Sequence, residues 1–472
     1  MRTALLPLAL LALLAASAPA QTYDIVIRGG RVMDPATGLD KVLNVGVDGG
    51  EIAVLADYDI EGRTVLEASG RVVAPGFIDL HEHGQSPANY RAQIHDGVTT
   101  ALELEIGVED IPSWYAEREG KAPVNYGASI SHPYSRNIAE IGKNPGLEGE
   151  ALMRPLTEDE LVKLERRIAM QLGEGAVAVG FGIAYTPGVT QQELNRIFTK
   201  AAGYNAVCHV HMRGGYNLEN LNELLAAAEA SGASLHIVHI NSSAKKEAAK
   251  YLEAIEAARK RGIDVTTECY PYNQGSTLIQ SHLFDDWETN PLYTDKYINE
   301  FIWVETGERL NRKTFAEKRK IGGTIITPPG YSMETVEMLV AHPLTMIASD
   351  GMWIDQGRAH PRTYGTYSRI LGHYVRERKA LTLMEALKKM TIMPAERVAG
   401  RVPSMRKKGR VEPGMDADLV VFDPNTVIDK GTYQDPAQYS AGFSHVLVNG
   451  VITLRDGKFV EDAAGGIAIR AR

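Results

Sequence analysis

Between about Arg71 and Gly400, eight apolar, strand-like runs alternate with helix-like stretches, and this rhythm narrows the fold more than any other feature of the chain. The runs are Val72 to Leu80, Thr99 to Glu105, Val124 to Ser131, Ala176 to Phe181, Ala206 to His211, Ser234 to His239, Asp264 to Tyr270 and Leu344 to Ser349. Parallel strands followed by helices bury both faces of their sheet, and eight of them close it. The fold class expected is therefore α/β, a (β/α)8 TIM barrel over residues 71–404. Thr157 with Glu160, Thr190 with Glu193 and Thr382 with Glu385 have the spacing of capping boxes and mark helix starts. Leu194, Ile197, Phe198 and Ala201, like Tyr251, Leu252, Ile255 and Ala258, recur at helical spacing and read as core stripes.

The two ends of the chain read differently. Short strands separated by glycine turns run through residues 24–55, and a matching set returns over 417–454. Residues 21–70 and 405–472 are expected to close into one small β-sandwich, with the barrel inserted between its halves. A second insertion, about 275–343, separates barrel strands 7 and 8 and is far longer than a usual connection. It holds Leu283 to Trp287 and Phe301 to Trp303, and it leaves the barrel at the active-site rim, so it reads as a lid. Met1 to Ala20 combine a basic start, an apolar run from Ala4 to Ala16 and small residues at Ala18 and Ala20. This is the pattern of a signal peptide cut after Ala20, and the mature chain is expected to be periplasmic or secreted. A net charge of -9 argues against nucleic acid and anionic membrane as partners. Cys208 and Cys269 lack metal or redox spacing and read as buried free thiols.

Parallel barrel strands bring their C-terminal ends to one mouth, so residues distant in sequence meet there. His81 and His83 share one face of the first strand's end, since side chains alternate along a strand. His211 and His239 end later strands, His132 follows the third, and Asp350 follows the eighth. Glu103 and Glu105 alternate inward on the second, and Glu105, nearer the mouth, is preferred as ligand over Glu103. Imidazole nitrogens and carboxylate oxygens suit zinc, which lowers the pKa of a bound water to about 7. The metal ligands expected are thus His81, His83, Glu105, His211 and His239, with His209 one pleat deeper behind them. Asp350 is placed to move the proton, and His132 to stabilise an oxyanion. The fourth strand, Ala176 to Tyr185, has no lysine to be carboxylated into a metal ligand.

With these residues in place the chain resembles the amidohydrolase superfamily, and within it the N-acyl-D-amino-acid deacylase (D-aminoacylase) group. The likeness rests on Gly76 to His83, Gly97 to Thr100, Asn125 to Arg136, His211 to Arg213, the histidine at 239, Tyr270 to Thr277, the run ending at Gly351, and His360 to Glu377. It implies firm ligation by His211 and His239, a weaker or second metal position near His81 and His83, and Asp350 as acid and base. It places Tyr272, Ser276 and Arg369 near the substrate, Arg369 as partner of its carboxylate. In the family the second strand ends in a ligating cysteine; here Glu105 stands nearby, a harder ligand able to bridge two ions. Where the family often has a lysine after the sixth-strand histidine, this chain has Asn241.

The function expected is an exported hydrolase using one or two zinc ions to cleave the C–N bond of N-acyl amino acids or related small amides. The alternatives are a hydrolase of cyclic amides or dipeptides, and a binding protein that keeps its metal without catalysis. A homo-oligomer is compatible with the sequence.

Overall fold

Eight parallel strands form the barrel in chain order: Phe77–Asp79, Val98–Val108, Asn125–Ser131, Ala178–Gly182, Val207–His211, Leu235–Ile237, Val265–Cys269 and Thr345–Ile347. A computed structural model describes residues 21–214, 217–354 and 356–471, so the expected signal segment, 1–20, lies outside the described residues. The seam between the first and eighth strands is closed by polar contacts. The Ser349 N–H donates to both oxygens of Asp79 (3.1 and 3.2 Å), and the His83 N–H donates to the Gly351 carbonyl (2.8 Å).

The stretch Val72 to Leu80, expected as one strand, is two. Val72–Pro75 pairs with Leu419–Phe422 and with Arg31 and Val32 in the terminal sheet, and only Phe77–Asp79 enters the barrel. Gly76 is the step between them; a Cβ there would lie 2.2 Å from the Thr99 side chain.

The chain ends meet in a single nine-stranded sheet. Thr22–Asp34 pairs on one edge with Leu39–Asp48, with a bulge between Ile27 and Gly30, while its other edge passes there from Glu61–Glu67 to Val72–Pro75. The sheet forks at that bulge. Residues from both chain ends then share one apolar core, including Ile27, Val45, Leu66, Val73, Leu419 and Leu447. The two layers expected of a sandwich are therefore arms of one sheet. The tail continues beneath the barrel: the Ile469 N–H donates to the Tyr126 carbonyl (2.7 Å), and Tyr115 Oη donates to the Ile469 carbonyl (2.5 Å). Ile469 and Ala471 pack with Ile78, Leu102, Val177 and Met346 in the barrel interior.

Two of the three expected capping boxes close fully, at Thr157 and Thr382. At Thr190 only half forms, because the Glu193 side chain turns inward to buried Arg136 and His132 instead of back to the cap. Both helical stripes are buried as their spacing requires. The long insertion has its own core, with Phe284, Trp287, Phe301 and Phe315 around a three-stranded sheet of Ser276–Leu278, Ile302–Trp303 and Thr324–Ile326. Cys208 and Cys269 are buried free thiols. No helix among the described residues is long and apolar enough to cross a membrane.

Candidate metal centre and its cavity

The second barrel strand is built to raise its glutamates. Between the pairs Glu103 with Ala128 and Val108 with Ile130, four residues, Leu104 to Gly107, stand against Ser129 alone. The Ser129 hydroxyl is within reach of the Glu103 and Leu104 carbonyls (3.3 and 2.9 Å), and Gly107, at φ 75°, leaves no room for a side chain beside Ser129 and Ser131. This bulge carries Glu105 into the middle of the mouth.

There its two oxygens face two different histidine pairs. Glu105 Oε2 is 3.1 Å from His83 Nε2 and 3.4 Å from His81 Nε2. Glu105 Oε1 is 2.5 Å from His211 Nδ1 and 3.5 Å from His239 Nε2. The nitrogens within each pair are also close, 3.2 Å in both cases. Donor atoms of His81, His83 and Asp350 lie within 4.8 Å of one another, as do those of His81, Glu105 and His239. All five expected ligands thus converge, and Glu105 rather than Glu103 is central.

The proton inventory fits a cation. His81 Nδ1 donates to Glu268 Oε1 (2.6 Å) and His83 Nδ1 to Glu103 Oε2 (2.9 Å), so in the neutral rings both Nε2 atoms present lone pairs. Those lone pairs face each other and a carboxylate oxygen, which is repulsive unless a positive charge sits among them. Burial pushes His81 and His83 toward the neutral form, yet Asp350 and Glu268 pull His81, and Glu103 and Asp350 pull His83, well above the usual histidine range. The same pull serves a divalent ion, and imidazoles with carboxylates are a donor set that zinc accepts.

Glu268, on the seventh strand, had no role in the sequence reading. It accepts from His81 through one oxygen and from His236 Nε2 (3.0 Å) through the other. Burial raises the Glu268 carboxyl, but the two histidines more than offset this and hold it ionised. It fixes the tautomer and ring orientation of His81, as carboxylates behind metal-bound histidines commonly do. Glu268→Gln is expected to weaken metal binding roughly 10–100-fold, read by competition with a chelator; unchanged affinity would remove Glu268 from that role. His209, expected behind His211, packs its ring 4.6 Å from His236 instead.

Asp350 closes the mouth from the eighth strand. Its Oδ1 is 3.4 Å from His81 Nε2, 3.6 Å from His83 Nε2 and 2.9 Å from Arg362 Nη2. Burial raises its carboxyl, but Arg362 and the histidines outweigh that and bring it to about 2. Asp350 and His239 both sit at positive φ, 51° and 30°. Such strained backbone persists where surrounding contacts enforce it, and here it aims both side chains at the centre.

The centre opens into a cavity of about 560 Å³, lined by Tyr185, Ser276, Tyr331 and Arg362 among others and walled by Leu283, Phe284, Tyr293 and Phe301 of the insertion. Ser276 is where it was expected, although its hydroxyl donates to the Ile325 carbonyl (2.9 Å). Three other expected residues are not on the cavity lining. Arg369 is engaged by Asp429 (3.0 Å) and the Pro271 carbonyl (2.9 Å), away from the cavity lining. Tyr272 lies beneath it, within 3.2 Å of the Gly365 carbonyl. His132, the first residue of the helix His132–Ile141, is fully buried, with its ring held by Glu193 (2.8 Å) and Phe181.

A different arginine, Arg362, lines the cavity. It is 1% exposed, lies over the Tyr270 ring, and its Nε and Nη1 have no protein acceptor. A buried guanidinium with spare donors at a cavity wall is a site for a carboxylate.

Comparison with known proteins places this geometry. A family model described as "Amidohydrolase family" matches residues 64–454. An N-acyl-D-glutamate deacylase from Alcaligenes xylosoxydans xylosoxydans is 31% identical over 469 residues, covering 91% of this chain and 93% of its own. The crystal structure of N-acyl-D-glutamate deacylase from Bordetella bronchiseptica, complexed with zinc and a phosphonate mimic of the tetrahedral intermediate, superposes with a TM-score of 0.82 at 26% identity, covering 96% of this chain and 100% of that one. A D-aminoacylase structure concerned with its binuclear metal centre gives 0.81 at 25% identity, with 95% and 100% covered.

Proposed function

Because the chain belongs to the amidohydrolase family, and is a metal-dependent enzyme acting on C–N amide bonds, we propose that it is an exported N-acyl-D-amino-acid deacylase. The observation that carries this reading is the pair at the mouth: Asp350 beside the donor cluster, and Arg362 with spare N–H groups on the same wall. One group can move a proton at the scissile bond while the other holds the substrate's α-carboxylate.

His81, His83, Glu105, His211 and His239 would hold zinc, as one ion or as two sharing Glu105. When bound, it polarises a carbonyl and lowers the pKa of a water to about 7. The chain's own residues do the rest. Arg362 orients the substrate through a charge-assisted hydrogen bond and keeps Asp350 ionised. Asp350 takes the proton released as water adds to the carbonyl, then delivers it to the departing amine nitrogen. The aromatic wall of the insertion limits water around the bond being cut. Export rests on residues 1–20, and a mature N-terminus at Gln21 would be its mark.

The experiment is a substrate panel on metal-replete protein: N-acetyl-D-amino acids, their L-enantiomers, hydantoins and dipeptides. Turnover concentrated in the N-acetyl-D compounds is expected. Turnover confined to hydantoins or dipeptides would replace the reading with a cyclic-amide or dipeptide hydrolase, and metal bound without hydrolysis of any member would make it a binding protein.

A further inference from the structure

The long insertion reads in the sequence as a lid, yet its sheet is fastened along both edges. The strands lie in the order Ser276–Leu278, Thr324–Ile326, Ile302–Trp303. One edge is the neck, where the chain enters this sheet and leaves it: the Thr327 N–H donates to the Gly275 carbonyl (2.9 Å), and the Gly275 N–H donates to Thr327 Oγ1 (3.1 Å). A body held along one edge can turn about it. The opposite edge is gripped by Arg358, which lies in sequence between Asp350 and Arg362.

Arg358 Nε donates to the Val304 carbonyl (3.0 Å), just past the strand Ile302–Trp303. Its Nη2 donates to the Gln434 carbonyl (2.9 Å), in the segment between the terminal-sheet strands Leu419–Phe422 and Phe443–Val448. Gly307 makes room for this guanidinium, since a Cβ there would lie 2.5 Å from Nη2. Beside it Gln356 Nε2 donates to Glu305 Oε1 (2.8 Å), and Tyr433 packs against Ile302, Val304 and Ile326. On the insertion side the grip reaches Phe301, three residues before Val304 and part of the cavity wall. On the other side it reaches Arg362, whose N–H donates to His360 Nδ1 (3.0 Å), while Tyr364 Oη donates to the Gly357 carbonyl (3.0 Å).

Resting on the deacylase reading, in which Arg362 and Asp350 act on the substrate, we propose that Arg358 is a positioning residue of the reaction: it fastens the aromatic wall of the insertion to the segment that carries Asp350 and Arg362. A guanidinium presents its donors in a rigid fork, so one side chain fixes two carbonyls from separate parts of the chain. The cavity is then formed before substrate arrives, and binding spends less on ordering it.

The test measures hydrogen exchange and steady-state kinetics on metal-replete wild type, Arg358→Met and Arg358→Lys, with the N-acetyl-D-amino acid that wild type cleaves fastest. In Arg358→Met the amides of residues 301–304 are expected to exchange roughly 10-fold faster, as the loss of two hydrogen bonds allows, while the barrel strands and the bound metal stay as in wild type. Its kcat/KM falls roughly 10–100-fold, chiefly through a higher KM. Arg358→Lys, which reaches one carbonyl at a time, recovers part of both. Unchanged exchange in the insertion overturns the proposal, as does an unaltered kcat/KM or a loss confined to kcat at wild-type KM, the mark of a smaller folded fraction. Should wild type cleave no N-acetyl-D-amino acid, the deacylase reading fails and exchange alone decides: faster exchange of residues 301–304 in Arg358→Met sustains the fastening role, and equal exchange rejects it. If Arg358→Met does not fold, Arg358→Lys against wild type carries the same comparison.

Discussion

Asp350→Asn is expected to reduce turnover by roughly 10²–10⁴-fold, the range spanned by a positioned acid or base. The amide has nearly the shape of the carboxylate but cannot accept and return a proton. The substitution also removes the charge that Arg362 meets at 2.9 Å, leaving that guanidinium to the substrate alone. KM is therefore expected to change less than kcat, or to fall. The donor set of Glu105, His211 and His239 does not include Asp350, so metal measured by mass spectrometry should persist there. A variant that keeps both its metal and its full kcat would show that proton transfer runs through another group.

Glu105→Ala should act on the centre itself. One carboxylate serves both histidine pairs, so its loss removes an oxygen from each at once and leaves nitrogens facing nitrogens at 3.2 Å. Metal affinity should fall by at least the roughly 10–100-fold that loss of a supporting residue costs, and turnover should fall with it. Glu105→Cys supplies one softer atom in place of two oxygens and should favour a single ion over a pair. Chelator competition and metal-to-protein ratios separate these results; wild-type ratios and activity in Glu105→Ala would mean that the carboxylate only fills space.

The strand-end ligands were legible because period-two alternation fixes which residues face inward, and parallel strands share one mouth. What sequence could not settle was direction beyond the strand. His132 sits one residue past its strand's end, on a helix, and faces Glu193 rather than the mouth. Arg362 and Arg369 are seven residues apart, about two helical turns, and an unbroken helix would present both on one face. Gly365 interrupts the helix at φ -158°, ψ 43°, and the two arginines part, one to Asp350 and one to Asp429. Glu268 was readable only as an inward carboxylate in an apolar run. A buried acid without a basic neighbour in sequence needs a partner from elsewhere, and that signal could have drawn attention to it. The fork at Gly29 and Gly30 left no such trace, since strand patterns do not say which edge pairs with which strand.

The tail beneath the barrel sets how much of the chain the barrel draws on. Ile469 and Ala471 pack beside residues from the first, second and eighth strands, although they lie more than a hundred residues beyond Asp350, the last of the expected metal and proton-transfer residues. A chain cut before Ile469 would carry all of those groups and still lack two apolar side chains of the core on which their strands rest.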